Sequence, residues 1–291
     1  MIPAEFEYAR PRDVGEALRI LSERAGDAKV LSGGYSLLPL LKLRLASPSL
    51  VVDIGHVAGL DGIAEQDGEL RIGARVTHAR LAADASIAAR YPVVHEAAGG
   101  IGDPQVRNWG TIGGSCAHAD PSSDWPAVLI ATRASLLCRS VNGDRTIAAR
   151  DFFVDAFQTA IEPDELLVEI RIPTPAPGTA SAYKKLERRA GDFATVGVAV
   201  QLHLGADGRI DQAGVGLTAV AETPFAATDA EAVLIGAAPG ADVFKRAAAA
   251  AAAQSRPAED RHGPVDYKRA MVAEMTGRAL TAAAARLHPT A

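Results

Sequence analysis

Lys29-Val30-Leu31-Ser32-Gly33-Gly34-Tyr35-Ser36-Leu37-Leu38-Pro39 is the stretch on which the reading of this chain turns. Lys29-Val30-Leu31 predicts a short buried strand. Leu37 to Arg44 has helical spacing, with Pro39 tolerated in the first helical turn. Between them, Ser32 to Ser36 offers two glycines, two serines and no general acid or base. Glycine reaches positive φ and lets a ligand approach the backbone closely. Successive N–H groups in such a turn form an anion-binding nest, and the following helix adds a favourable dipole. A diphosphate suits that chemistry. An ordinary strand-to-helix turn would use the same residues, because a lone Gly-Gly is a weak signal.

A second turn repeats the grammar. In Gln105-Val106-Arg107-Asn108-Trp109-Gly110-Thr111-Ile112-Gly113-Gly114-Ser115, every position from Gly110 onward except Ile112 is a glycine or carries a hydroxyl. Asp120-Pro121-Ser122-Ser123-Asp124 follows, and Asp124 suits either a helix cap or an acceptor for ribose hydroxyls. Neither turn is a P-loop, since no Lys-Ser/Thr follows, and neither is a Gly-x-Gly-x-x-Gly fingerprint. Together they describe two loops around one nucleotide or diphosphate, with two unrelated structural turns as the plainer alternative. A third region, Tyr183-Lys184-Lys185-Leu186-Glu187-Arg188-Arg189-Ala190-Gly191-Asp192-Phe193, would place Lys184, Leu186 and Arg188 on one strand face. Such a charge run is commonly a solvated face. The sharper reading sets a lysine near ligand oxygens and Phe193 beside a flat ring.

Outward from these segments the chain divides into three units, 1–55, 56–175 and 178–291, the last two separated by the linker Pro173-Thr174-Pro175-Ala176-Pro177-Gly178. The first has a strand at Phe6-Glu7-Tyr8, a helix opened by Asp13 and ended by Gly26, and a strand at Leu50–Ile54. In the second, Ile63-Ala64-Glu65 and Leu70-Arg71-Ile72 flank Gln66-Asp67-Gly68-Glu69 as a hairpin, and Thr77 and Asp84 cap short helices. The third reads as three strands, Ala182–Leu186, Thr195–Leu204 and Ile210–Val220, followed by helices near Asp229–Ile235, Ala241–Ala253 and Asp266–Leu287.

Composition narrows the function. A formal charge of −5 and few aromatic residues argue against a nucleic-acid partner. No apolar run reaches membrane-spanning length, and Met1–Phe6 lacks the features of a signal peptide, so a cytoplasmic protein is expected. The two cysteines, Cys116 and Cys138, cannot form a disulfide framework or a four-thiolate iron–sulfur centre. His118 and Asp120 stand near Cys116 without a second ligand cluster, so no metal site is expected.

Taken in order, the three motif segments resemble the FAD-binding medium subunits of the molybdenum hydroxylases, those of the aerobic carbon monoxide dehydrogenases most of all and the xanthine dehydrogenase FAD domain more distantly. The pattern Gly-Gly-x-Ser-Leu-Leu-Pro then Lys-x-Arg stands at Gly33–Pro39 and Lys42-Leu43-Arg44. Arg-Asn-x-Gly-Thr-Ile-Gly-Gly stands at Arg107–Gly114, His-x-Asp-Pro at His118–Pro121, and a later Asp at Asp124. The Tyr-x-Lys-like strand with Arg-Arg-x-x-Asp stands at Tyr183–Asp192. Tyr35 replaces a common histidine or glutamine, and Ser115 a common asparagine or aspartate.

The resemblance implies an α+β fold. Two vanillyl-alcohol-oxidase-like subdomains would hold FAD between them, and a C-terminal domain would add a three-stranded antiparallel sheet and helices. It implies that Ser32, Gly33, Gly34, Tyr35 and Ser36, with Thr111, Ile112, Gly113, Gly114 and Ser115, bind the diphosphate and adjoining ribityl atoms. Asp124 would hold adenosine or ribityl hydroxyls. Lys184 would lie near the flavin edge, Leu167 would contact the ring, and Phe193 would cover one face. No catalytic acid or base is implied. The chain would collect electrons from 2Fe–2S clusters of a small subunit and pass them through FAD to an external acceptor, while a molybdopterin-binding large subunit oxidises the substrate, in a dimer of heterotrimers. Two other readings stay open: a stand-alone flavin oxidoreductase of the same fold, and a scaffold subunit without flavin.

Overall fold

In the computed structural model, which describes residues 2–287, Asp13 caps the first helix. Its carboxylate accepts the Glu16 N–H at 2.8 Å, and Ala17, Leu18 and Leu21 bury one side of helix Val14–Glu23. Strands Glu7–Ala9 and Ala28–Leu31 pair in parallel with the central strand Leu50–Asp53. Pleating sends Leu50, Val52 and Ile54 to the core beneath that helix. This core is not closed by the first unit alone. Leu137, Leu166 and Val168 of the next sheet complete it, as expected for a segment too short to bury a sufficient core by itself.

The middle sheet is antiparallel, in the order Ile63–Gln66, Glu69–Gly73, Leu166–Pro173, Ser135–Ser140, Gly143–Ala148. Its first hairpin turns on Asp67 and Gly68, both at positive φ (55° and 77°), which matches the right-handed twist of the strands. Short helices cover one face of this sheet, among them His78–Ala83, capped by Thr77, and Ala85–Arg90, capped by Asp84. Trp125, Leu129 and Ile130 of helix Asp124–Ala131 lie in the same core.

Helix Asp124–Ala131 is buried along its whole length because the third unit lies on its other side. Gly214 and Gly216 make this possible. A Cβ at either would fall 1.9–2.0 Å from the carbonyl oxygens of Ala131 and Ala127. They belong to strand Ile210–Thr218, which pairs with Val196–Leu204, itself paired with Thr179–Leu186. A two-residue strand, Phe225–Ala226, extends the three long strands to four. Tyr183 and Ala199 face the middle core, while Ala182, Val196, Val198 and Val200 face helices Thr228–Leu234, Ala241–Gln254 and Val265–Leu287.

Candidate functional site

The first turn leaves strand Ala28–Leu31 at the carboxyl end of the parallel sheet and enters helix Leu37–Leu43, the edge where ligands of open parallel sheets bind. Gly34 sits at φ +85°, a conformation that L side chains rarely adopt, and an added Cβ would also press on Leu38. Gly34 and Ser36 accept from Leu38 and Leu40 through their carbonyls. Among the described residues, the N–H groups of Gly33, Gly34, Tyr35 and Ser36 have no acceptor. The Ser36 hydroxyl makes no capping bond. The sequence therefore folds into a row of unused donors at a helix start.

The second turn is built differently. Thr111 caps helix Ile112–His118, its hydroxyl accepting the Gly114 N–H at 3.1 Å. The Ile112 N–H donates to Val76, Gly113 to Ala74 and Ser115 to Thr111, all onto carbonyl oxygens at 2.9–3.0 Å. Ile112 is fully buried, and a Cβ on Gly113 would meet Ala74 at 2.5 Å. The Ile112 side chain and the α-carbon of Gly113 thus pack against the core behind the turn. Gly114 and Ser115 remain half-buried at its surface.

The two turns meet. Ser32 Oγ lies 3.0 Å from Thr111 Oγ1, across 79 residues of sequence. Gly33 packs on the next turn so tightly that a Cβ would stand 1.9 Å from the Trp109 carbonyl oxygen. Gly33 is thus required by the loop-to-loop contact, whereas Gly34 is required by the backbone conformation.

The chain matches the model for the FAD binding domain in molybdopterin dehydrogenase over residues 4–175 and the CO dehydrogenase flavoprotein C-terminal domain over residues 181–283. It belongs to the flavoproteins of the molybdopterin dehydrogenase family. The carbon monoxide dehydrogenase medium chain of Hydrogenophaga pseudoflava is 44% identical over 286 residues, covering 98% of this chain and 99% of that one. The caffeine dehydrogenase subunit beta of Pseudomonas sp. strain CBB1 is 36% identical, covering 99% of this chain and 97% of that one. In structure, a chain of the Hydrogenophaga pseudoflava carbon monoxide dehydrogenase lacking the Mo-pyranopterin moiety superposes with a TM-score of 0.94 at 46% identity, covering 98% of this chain and 99% of that one.

The cofactor of this flavoprotein family is FAD, and the donor row at Gly33–Ser36 fits its diphosphate. The other expected site residues lie outside the two turns. Asp124 is the first residue of its helix and not the cap, which is Ser123. Its buried carboxylate accepts from Tyr183 Oη at 2.6 Å and pairs with Lys185 Nζ at 3.2 Å. Burial pushes the Asp124 carboxyl upward, opposed by Lys185 and Tyr183; burial and Asp124 push the Tyr183 phenol well above its usual range. Asp124 is therefore committed to the strand of the third unit. Leu167 lies in the middle core, paired with Cys138 beside a β-bulge. Lys184 shares the strand face of Ala182 and Leu186, opposite to Tyr183 and Lys185. No hydrogen-bond or ion-pair partner holds its amine among the described residues. Phe193 is 55% exposed in a loop whose Gly191 abuts Gly102 and whose Ala194 N–H reaches Ser122.

Sequence reasoning missed the supports of the flavoprotein's second turn. The His78 ring packs on Gly110, the His78 backbone N–H donates to the Gly110 carbonyl at 3.0 Å, and the ring Nδ1 accepts from Trp125 Nε1 at 3.2 Å. Burial lowers its pKa to about 4, so the ring is neutral. A lone histidine gives no pattern, so only the fold brings it under the turn. Lys185 was equally hidden, since neighbouring lysines in a strand differ only by face.

Proposed function

We propose that this chain is the FAD-carrying medium subunit of a molybdenum hydroxylase complex, taking electrons from 2Fe–2S clusters of a small subunit and passing them to an external acceptor. The observation that carries this is the row of unpartnered N–H groups at Gly33–Ser36, set against the second turn by the Ser32–Thr111 contact. Bound FAD supplies the redox chemistry, and the protein supplies binding, orientation and electrostatics. The Gly33–Ser36 N–H groups, with the hydroxyls of Ser32, Ser36, Thr111 and Ser115, hold the diphosphate and adjoining ribityl atoms. Gly114 keeps the second turn open to them. The free amine of Lys184 and the exposed ring of Phe193 serve the isoalloxazine, whereas Asp124, Leu167, Ile112 and Gly113 act from behind.

No acid or base lies in either turn, which supports a role without substrate chemistry. The names of the relatives point the same way: one is a carbon monoxide dehydrogenase chain and another a caffeine dehydrogenase subunit, so closely similar chains accompany different substrates. A molybdopterin-binding large subunit and a 2Fe–2S small subunit complete the complex, in a cytoplasmic dimer of heterotrimers. The units 1–55, 56–175 and 178–291 are its working divisions.

The test is titration of the purified full-length chain with FAD, followed by flavin absorbance and fluorescence, alone and with co-produced partner subunits. One FAD per chain is expected. Failure of added FAD to bind both the chain and the assembled complex refutes the reading.

A further inference from the structure

The apolar inner face of the third sheet stops short of the sheet's end. Tyr183 and Ala199 pack in the middle core, and beyond Ala199 the same strand face carries Gln201 and His203. Register sets Gln212 of the next strand opposite His203. Arg133, just past the end of helix Asp124–Ala131, stands beside this polar row and takes the left-handed position, φ 55°, ordinarily filled by glycine. The linker runs over the gap, tied down by His203, whose ring stands between the Asp211 carboxylate and the Pro177 carbonyl. A cleft of about 140 Å³ remains, with Arg133, Gln201, His203 and Gln212 on its polar side and the linker prolines Pro173 and Pro175 on its apolar side. Among the described residues no aspartate or glutamate lines it, in a chain of net charge −5. Arg133 donates from Nη2 to the Ala213 carbonyl at 3.1 Å, and among the described residues it has no carboxylate partner. The side-chain amides of Gln201 and Gln212 have no hydrogen-bond partner among those residues either.

We propose that this cleft binds a small organic carboxylate. The site stands apart from the FAD reading, since none of the residues lining the cleft belongs to either glycine turn. Charge selects an anion. The Arg133 guanidinium is uncompensated, and its planar fork matches the two oxygens of a carboxylate. The amides of Gln201 and Gln212 supply further donors for the remaining lone pairs. The prolines select an organic ligand, because their apolar wall rewards a short hydrocarbon body and offers nothing to a bare oxyanion. Arg133 also sits at a backbone position that disfavours any side chain, and strain of that kind persists where the side chain has a use. A ligand held there touches the linker and the third sheet at once, so its binding fastens the third unit to the second.

The test is calorimetric titration and thermal melting of the purified full-length chain with sodium butyrate. Butyramide, inorganic phosphate and sodium chloride at matched ionic strength serve as comparisons. Butyrate is expected to bind at one site per chain and to raise the melting temperature, with butyramide weaker by about tenfold or more. Arg133→Gly suits the left-handed backbone, so that variant should melt no lower than wild type and bind butyrate about tenfold or more weakly. Gln212→Ala, at an exposed position, should weaken butyrate by a few-fold. The proposal is overturned if butyrate shifts the melt no more than chloride does, or if Arg133→Gly keeps wild-type affinity. It is also overturned if phosphate binds as tightly as butyrate, which would make the cleft a general anion site. If Arg133→Gly fails to fold, unchanged affinity in Gln212→Ala overturns it instead.

Discussion

The two glycine turns have nearly the same composition and opposite internal states. Among the described residues, Ser32–Ser36 keeps four consecutive N–H groups without acceptors, whereas Ile112, Gly113, Gly114 and Ser115 have theirs satisfied by Val76, Ala74 and Thr111. One turn is an open cradle and the other a braced wall. The glycines differ in the same way. Gly34 answers to a positive φ, Gly33 to the Trp109 carbonyl and Gly113 to Ala74. A Gly-Gly pair therefore announces that something comes close, and only the fold says whether it is a ligand or the protein itself.

That contrast can be broken most sharply at Gly34. Gly34→Val should weaken FAD binding on the order of a hundredfold, since charge-assisted hydrogen bonds of about 1.5–3 kcal/mol each would be misaimed. The measurement is flavin fluorescence titration of the full chain. Affinity within threefold of wild type would show that the first turn is not the cradle.

Acid should act on the braced side. His78 has a folded pKa of about 4, below its ordinary value of 6.5, so the unfolded chain takes up the proton first. Its contribution is intact above about pH 6.5 and is lost as pH falls toward 4, by about 3 kcal/mol in total. His78→Asn keeps an acceptor for Trp125 and cannot titrate, so its urea midpoint should fall less steeply between pH 7 and 4.5. Parallel pH profiles would remove His78 from the account.

Gly113→Val should cost about 1–3 kcal/mol by overpacking against Ala74, lowering the melting temperature while leaving the FAD affinity of the folded fraction near wild type. A loss of affinity without a loss of stability would reverse the roles assigned to the turns. The smallest effect belongs to the joint between them. Thr111→Ala removes the cap on Gly114 and the contact to Ser32, at about 1 kcal/mol, and should lower both stability and affinity by a few-fold equivalent, read by thermal melts and titration together.

Much of this was legible in the sequence because local chemistry decided it. Asp13, Thr77 and Asp84 cap the helices they precede, and Asp67-Gly68 forms the hairpin turn. The two glycine turns, read from separate motifs, meet through Ser32 and Thr111. The remainder depended on faces and partners. Alternation separates Lys184 from Lys185 by one residue, and register against Val198 and Gly197 decides which meets Asp124. Asp124 reads as a cap or a ribose acceptor, yet Tyr183, 59 residues away, claims its carboxylate. Helix Pro104–Trp109, capped by Asp103, is too short to leave a periodic signal.

The shared core beneath the parallel sheet also has a history in time. Strand Leu50–Asp53 and helix Val14–Glu23 rest on Leu137, Leu166 and Val168, and Ser32 meets Thr111. During synthesis, which runs from the N-terminus, the segment bearing the donor row leaves the ribosome first and waits for more than a hundred residues before its floor exists. Pairing across such distances is slow because loop closure precedes the contacts that reward it. The first turn is therefore made early and reaches its final setting late, only when the middle sheet has closed beneath it.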